Sequence, residues 1–91
     1  MNKRRDRLQV IYDILKAIQD KNGKIKPTHI LYKSNLSHQM MEEYLKELIE
    51  GGFIIETKKP EGRTYQLTEK GFDYLRKYQV ITDFVDSFGL S

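Results

Sequence analysis

Apolar residues recur every three to four positions over the first part of the chain. Leu8, Ile11, Ile14, Leu15 and Ile18 follow the i, i+3, i+4, i+7 rule, which puts them on one face of a helix from about Arg5 to Asp20. Lys21-Asn22-Gly23 ends it, since Asn and Gly tolerate the left-handed conformation of a helix end. Pro27 then stands where a helix start accepts it, because its missing N–H has no partner to lose there. Thr28 to Lys33, with Ile30, Leu31 and Tyr32, is long enough for about two turns. Ser34-Asn35-Leu36 breaks this segment. Ser37 is an N-cap for a third helix that reaches Glu50, with Met41, Tyr44, Leu45, Leu48 and Ile49 on one face, and Gly51-Gly52 stops it.

The period then changes. Phe53-Ile54-Ile55-Glu56-Thr57 is apolar and β-branched, as a strand requires. Lys58 to Arg63 contains Pro60 and Gly62 and reads as a loop, and Thr64-Tyr65-Gln66-Leu67 is a second strand. The two form a hairpin with a basic tip. Thr68 caps a last helix from about Glu69 to Phe88, in which Gly71 is a minor propensity defect. Tyr12, Tyr32, Tyr44 and Tyr65 are expected half-buried with wet hydroxyls, and Met40 and Met41 as core filler.

The predicted order is three helices, a hairpin and a helix: a mainly α fold with a small β-hairpin wing. A short helix, a tight turn and a longer helix make a helix-turn-helix, whose second helix can enter the major groove with its N-terminal residues at base edges. The expected fold is therefore a winged helix-turn-helix over residues 1–68. Residues 69–91 form a C-terminal helix that closes the core and carries a dimer interface, one domain overall. On that helix, at about 100° per residue, Leu75 and Gln79 share a side with Phe72 and are expected to close the domain. Tyr74, Tyr78, Ile81, Val85 and Phe88 fall opposite, at the alternating spacings of four and three that mark a heptad. One domain does not bury two opposite faces of the same helix, so this second face predicts an isologous homodimer.

Composition narrows the chemistry. The chain has 91 residues, 38% hydrophobic and 32% charged, enough for one modest core. No apolar run approaches the ~20 residues that cross a bilayer. The basic start Met1-Asn2-Lys3-Arg4-Arg5 is not followed by the apolar stretch of a signal peptide, so a cytoplasmic location without a membrane partner is expected. With no cysteine there is no disulfide, thiolate metal site or cysteine nucleophile. His29 and His38 lie in different predicted helices and lack metal-site spacing. Phosphate-loop, dinucleotide and nucleophile-elbow motifs are missing. Neither an enzyme, a cofactor, a metal nor a small-molecule ligand is expected.

The net charge of +3 matters less than its distribution. Residues 1–26 carry eight Lys/Arg against three Asp, and residues 57–77 carry six against three acids. Residues 27–56 between them carry two Lys against five Glu. The two basic regions point to separate phosphate contacts on double-stranded DNA. Candidates are Lys58, Lys59 and Arg63 at the wing, and Lys3, Arg4, Arg5 and Arg7 at the start of the chain. His38 and Gln39 occupy the first turn of the recognition helix, and Lys46 lies on its exposed side. Glu42, Glu43, Glu47 and Glu50 share that helix and oppose a phosphate surface. The sequence therefore supports two functions. One is a DNA-binding transcriptional regulator or nucleoid protein; the other is a winged-helix protein-interaction module that uses the acidic helix.

A further set of residues carries a family resemblance: Tyr32, Asn35-Leu36-Ser37, Tyr44-Leu45, Leu48, Gly52, Ile54, Tyr65, Leu67-Thr68, Lys70 and Gly71. The chain resembles the small archaeal winged-helix proteins of the Sulfolobus chromatin-associated type from about Ile11 to Leu75. Its clearest signals are N-L-S opening the third helix and Y-x-L-T-x-K-G closing the wing. The resemblance implies DNA binding, no cofactor, and an antiparallel coiled-coil homodimer through the long C-terminal helix.

Overall fold

The computed structural model describes residues 6–22 and 24–89. The elements are α1 (Arg7–Asp20), α2 (Pro27–Ser34), α3 (His38–Glu50), β1 (Ile54–Lys59), β2 (Gly62–Leu67) and α4 (Glu69–Ser87). This is the expected α-α-α-β-β-α order, and local capping chemistry explains its boundaries. The Ser37 hydroxyl accepts from the Met40 amide at 3.2 Å, and the Thr68 hydroxyl from the Gly71 amide at 3.2 Å. Asp6 does the same for α1, its carboxylate accepting from the Gln9 amide at 2.8 Å. Asn22 and Asn35 take the left-handed conformation after α1 and α2, with φ of 52° and 54°.

The hairpin is longer than the sequence pattern indicates. Its register runs from Ile54↔Leu67 to Lys59↔Gly62, which leaves only Pro60 and Glu61 as the turn. Lys58 and Arg63 are thus directly opposed strand residues, not loop residues. Ile25, ahead of α2, bridges antiparallel to Tyr65 and pins that segment to the wing.

The core gathers Ile11, Ile14, Leu15 and Ile18 of α1 with Ile30, Met41, Leu45, Leu48, Ile54, Tyr65 and Leu75. Burying each such side chain contributes about 1.5–3 kcal/mol relative to leaving it in water. Val10 and Ala17 are also buried, because α1 is covered by α2, β2 and α4 and needs a broad apolar face, and Ile25 is buried where it bridges to Tyr65. Several expectations are corrected. Leu8, Met40 and Ile49 are exposed, and Tyr32 is 82% exposed although half-burial was expected. Ser34 is the last residue of α2 and fully buried.

The largest correction concerns the orientation of α4. Leu75 is buried, but Phe72 remains 40% exposed, and Gln79 is exposed with its side-chain oxygen accepting from the Tyr12 hydroxyl at 3.2 Å. Tyr74 and Tyr78 instead pack against their own domain. The Tyr74 ring meets Phe53 edge-on at 6.0 Å, and its hydroxyl donates to the Leu8 carbonyl at 2.7 Å. Tyr78 stacks on Tyr12 at 4.6 Å. The cause lies at the root of the helix, where buried Gly71 sits directly against the Phe53 carbonyl. Around it the Thr68 amide donates to the Phe53 carbonyl at 3.1 Å, and the Thr68 hydroxyl donates to the Gly52 carbonyl at 2.6 Å. Lys70 donates to the Gly51 carbonyl at 2.7 Å and lies over the Phe53 ring. The L-T-x-K-G run therefore locks α4 onto the end of α3. Among the described residues no helix is long and apolar enough to cross a membrane.

Candidate nucleic-acid interface

α2 and α3 are joined by Asn35, Leu36 and Ser37. The left-handed Asn35 ends the first helix, and Ser37 starts the second two residues later. The first turn of α3 is open to solvent, with His38 and Gln39 both exposed. The three buried residues Met41, Leu45 and Leu48 fix how the helix is rotated. At about 100° per residue, Gln39, Glu43, Lys46 and Glu50 then form its outermost ridge. His38 and Glu42 lie toward the wing, and Tyr44 and Glu47 toward α1.

Two arginines from elsewhere in the chain address the acidic side chains of α3. Arg63 on β2 donates to the Glu42 carboxylate at 2.9 Å and to Glu56 on β1 at 3.4 Å. The Tyr65 hydroxyl also donates to Glu56, at 3.0 Å. His38 stands 3.6 Å from Glu42, so a continuous polar chain runs from the first turn of α3 into the wing. Arg7 on α1 grips Glu47, one guanidinium nitrogen lying 3.0 Å and 2.6 Å from its two oxygens. Its guanidinium carbon also lies 5.6 Å from the centre of the Tyr44 ring. These hydrogen bonds to carboxylates raise both arginines above their ordinary pKa. Burial, then the bond to Glu56, raises the Tyr65 phenol.

The wing cations divide accordingly. Arg63, read from the sequence as a third wing contact, has its guanidinium engaged by two carboxylates and is only 36% exposed. Lys58 is 78% exposed and at 3.9 Å only loosely associated with Glu56. Lys59 is exposed at the end of β1. Lys46 is exposed on the α3 ridge, beside Glu43 and Glu50. Lys3, Arg4 and Arg5 lie outside the described residues. Sequence reasoning missed Arg7 and Arg63 as neutralising partners of α3, because their targets are distant in the chain. Among the described residues, no group of three His, Asp or Glu side chains could hold a metal ion.

On α4, Tyr74 and Tyr78 belong to the intradomain packing described above. Ile81 and Phe88 are exposed and Val85 is half-buried. Val80 and Phe84, which the heptad pattern passed over, are exposed too, and the Phe84 and Phe88 rings touch at 5.1 Å.

Comparison with known proteins agrees with this geometry. A family profile described as winged helix-turn-helix matches residues 4–85. An uncharacterised protein of Methanocaldococcus jannaschii is 36% identical over 78 residues, 86% of this chain. The match covers 34% of that relative, so the chain spans about a third of its length. Among solved structures, Sso10a-2, a DNA-binding protein from Sulfolobus solfataricus, superposes with a TM-score of 0.80 at 19% identity. That match covers 92% of this chain and 85% of the other. F93 from STIV, a winged-helix DNA-binding protein, gives 0.74 at 19% identity and covers 87% and 91%. The likeness to the Sulfolobus protein thus holds for the fold. With its element order, its capped helix-turn-helix and its paired wing, this chain belongs to the winged helix-turn-helix family.

Proposed function

We propose that the chain binds double-stranded DNA as a homodimer, as a transcriptional regulator or nucleoid-associated protein. The observation that carries the reading is the open first turn of α3, with His38 and Gln39 exposed, tied through Glu42 and Arg63 to a wing that presents Lys58 and Lys59. In this role His38 and Gln39 meet base edges, since Gln pairs with adenine in the major groove. Lys46, Lys58 and Lys59 meet phosphates, and Arg63 braces the wing against the helix. Pairing of Glu42 with Arg63 and of Glu47 with Arg7 removes half of the electrostatic objection that four glutamates on α3 raise. The solved relatives described as DNA-binding proteins support the same reading. Homodimerisation is supported by the apolar side chains exposed on the distal half of α4.

The test is a fluorescence-anisotropy titration of generic duplex DNA at two salt concentrations. Binding is expected to weaken steeply with salt, as counterion release requires. Lys58→Ala with Lys59→Ala is expected to weaken binding to all sequences and to reduce the salt slope by roughly two. Salt-insensitive binding, or none, would favour the interaction-module reading, in which Glu43, Glu50 and the α3 ridge face a protein.

A further inference from the structure

A cleft of about 200 Å³ opens where the end of α1, the end of β2 and the start of α4 meet. Ile18, Leu67 and Phe72 make its apolar lining, and Gln19, Asn22 and Gln66 supply three carboxamides. No charged side chain among the described residues lines it, whereas the clefts beside α3 and along α4 each carry cations and carboxylates. Ile18 is buried and Leu67 and Gln19 are half-buried, while Asn22 and Gln66 are exposed. Phe72, whose place on α4 suggested a role in closing the core, instead keeps its ring 40% exposed at this cleft. Among the described residues the side-chain amides of Asn22 and Gln66 have no hydrogen-bond partner. The Gln19 oxygen accepts from Lys16 at 3.2 Å, which leaves its amino group to donate.

The lining comes from three distant segments of the chain, so no sequence motif marks it. Its volume falls below the roughly 300–1,000 Å³ of pockets that hold drug-sized molecules, so a single ring system is the largest group it takes in. A charged ligand would give up hydration here without meeting a counter-charge. Each carboxamide presents a donor and an acceptor side by side. The complement is a ring edge with a donor next to an acceptor, the arrangement by which Asn and Gln pair with N6 and N7 of adenine. An aromatic side chain beside that edge gives a base a face to stack on.

We propose that this cleft binds a neutral planar base of the adenine type, free or as its nucleoside, with the ring against Phe72 and Leu67 and its edge hydrogen-bonded by the carboxamides of Gln19, Asn22 and Gln66. Occupancy ties the end of α1 to the root of the wing, since Gln66 adjoins Tyr65, the residue that Ile25 bridges. None of the six lining residues belongs to the proposed DNA surface, so the inference stands apart from that reading.

The experiment follows the backbone amide resonances of the full chain during titration with adenine. Saturable shifts are expected at residues 18–22, 66–67 and 72, with a Kd between about 0.1 and 1 mM, as a ring-sized ligand in an open cleft allows. Adenosine should bind within about threefold of adenine, its sugar lying outside the cleft. Purine, which keeps the ring but lacks the amino group, should bind at least about fivefold more weakly. Gln66→Leu and Phe72→Ala should each weaken adenine roughly tenfold, the first by losing the edge contact and the second by losing the stacking face. Both side chains are exposed, so thermal transitions should be kept; if Phe72→Ala lowers its transition, Gln66→Leu and the comparison with purine decide. Adenine shifts that do not saturate or centre on other residues, equal affinity for adenine and purine, or wild-type affinity in Gln66→Leu would overturn the proposal. Adenine carries no phosphate, so any of these results leaves the DNA-binding reading untouched.

Discussion

Gly71 shows how one residue sets the disposition of a helix. A Cβ there would press into the Phe53 carbonyl and also meet the Leu67 side chain, so glycine is required by close approach and not by backbone conformation. Helix propensity alone would favour alanine by up to about 1 kcal/mol. The contact argues the opposite sign: Gly71→Ala should lower stability by about 1–3 kcal/mol, read as a drop in Tm by circular dichroism. A raised Tm would show that the junction yields easily. Read along the chain, Gly71 is only a weak helix former, because the atom it must avoid lies in a segment beyond the wing. Tyr32 shows the same limit in reverse. It sits among apolar neighbours in sequence, yet Ile30 and Ser34 take the buried side of α2 and turn it outward.

At the scale of elements, boundaries set by cap chemistry were legible. Ser37, Thr68 and the Gly51-Gly52 stop act on their nearest neighbours, so their effect can be read locally. The length of the hairpin was not, because Lys58 and Arg63 have loop-like composition and become strand residues only through cross-strand pairing. That pairing puts Arg63 where it holds Glu42 and Glu56 together and so anchors the wing to α3. Arg63→Ala should leave two carboxylates facing one another. The expected cost is about 0.5–1.5 kcal/mol, discounted for partial exposure. Amide hydrogen exchange should quicken in β1 and β2 while α1 stays protected. Arg63→Lys should restore little of this, since one ammonium does not span both carboxylates as the planar fork does. Unaltered exchange in the alanine variant would mean the wing is held by its backbone pairing and by Tyr65 alone.

For the molecule as a whole, the α-α-α-β-β-α order was readable from periodicity, but the sector that α4 presents to its own core was not. The heptad arithmetic treated Tyr74 and Tyr78 as free, whereas the Gly71 contact rotates them onto Phe53 and Tyr12. What remains exposed is more distal: Val80, Ile81, Phe84 and Phe88, with Val85 half-buried. If a second copy covers these residues, Ile81→Asp and Phe84→Asp should each give a monomer in analytical ultracentrifugation while keeping the helical signal of the domain. A dimer that survives both would move the interface elsewhere.

The junction of Thr68, Lys70 and Gly71 with Gly51 to Phe53 ties the start of α4 directly to the end of α3. The terminal helix, about 28 Å long, then behaves as a stiff lever arm. In a two-copy assembly joined at its far end and bound to DNA as proposed, a change of about 10° in how the arms cross would shift one α3 relative to the other by about 5 Å, more than one base-pair step. If the chain binds DNA as such a dimer, the distance between half-sites would be set by that crossing angle.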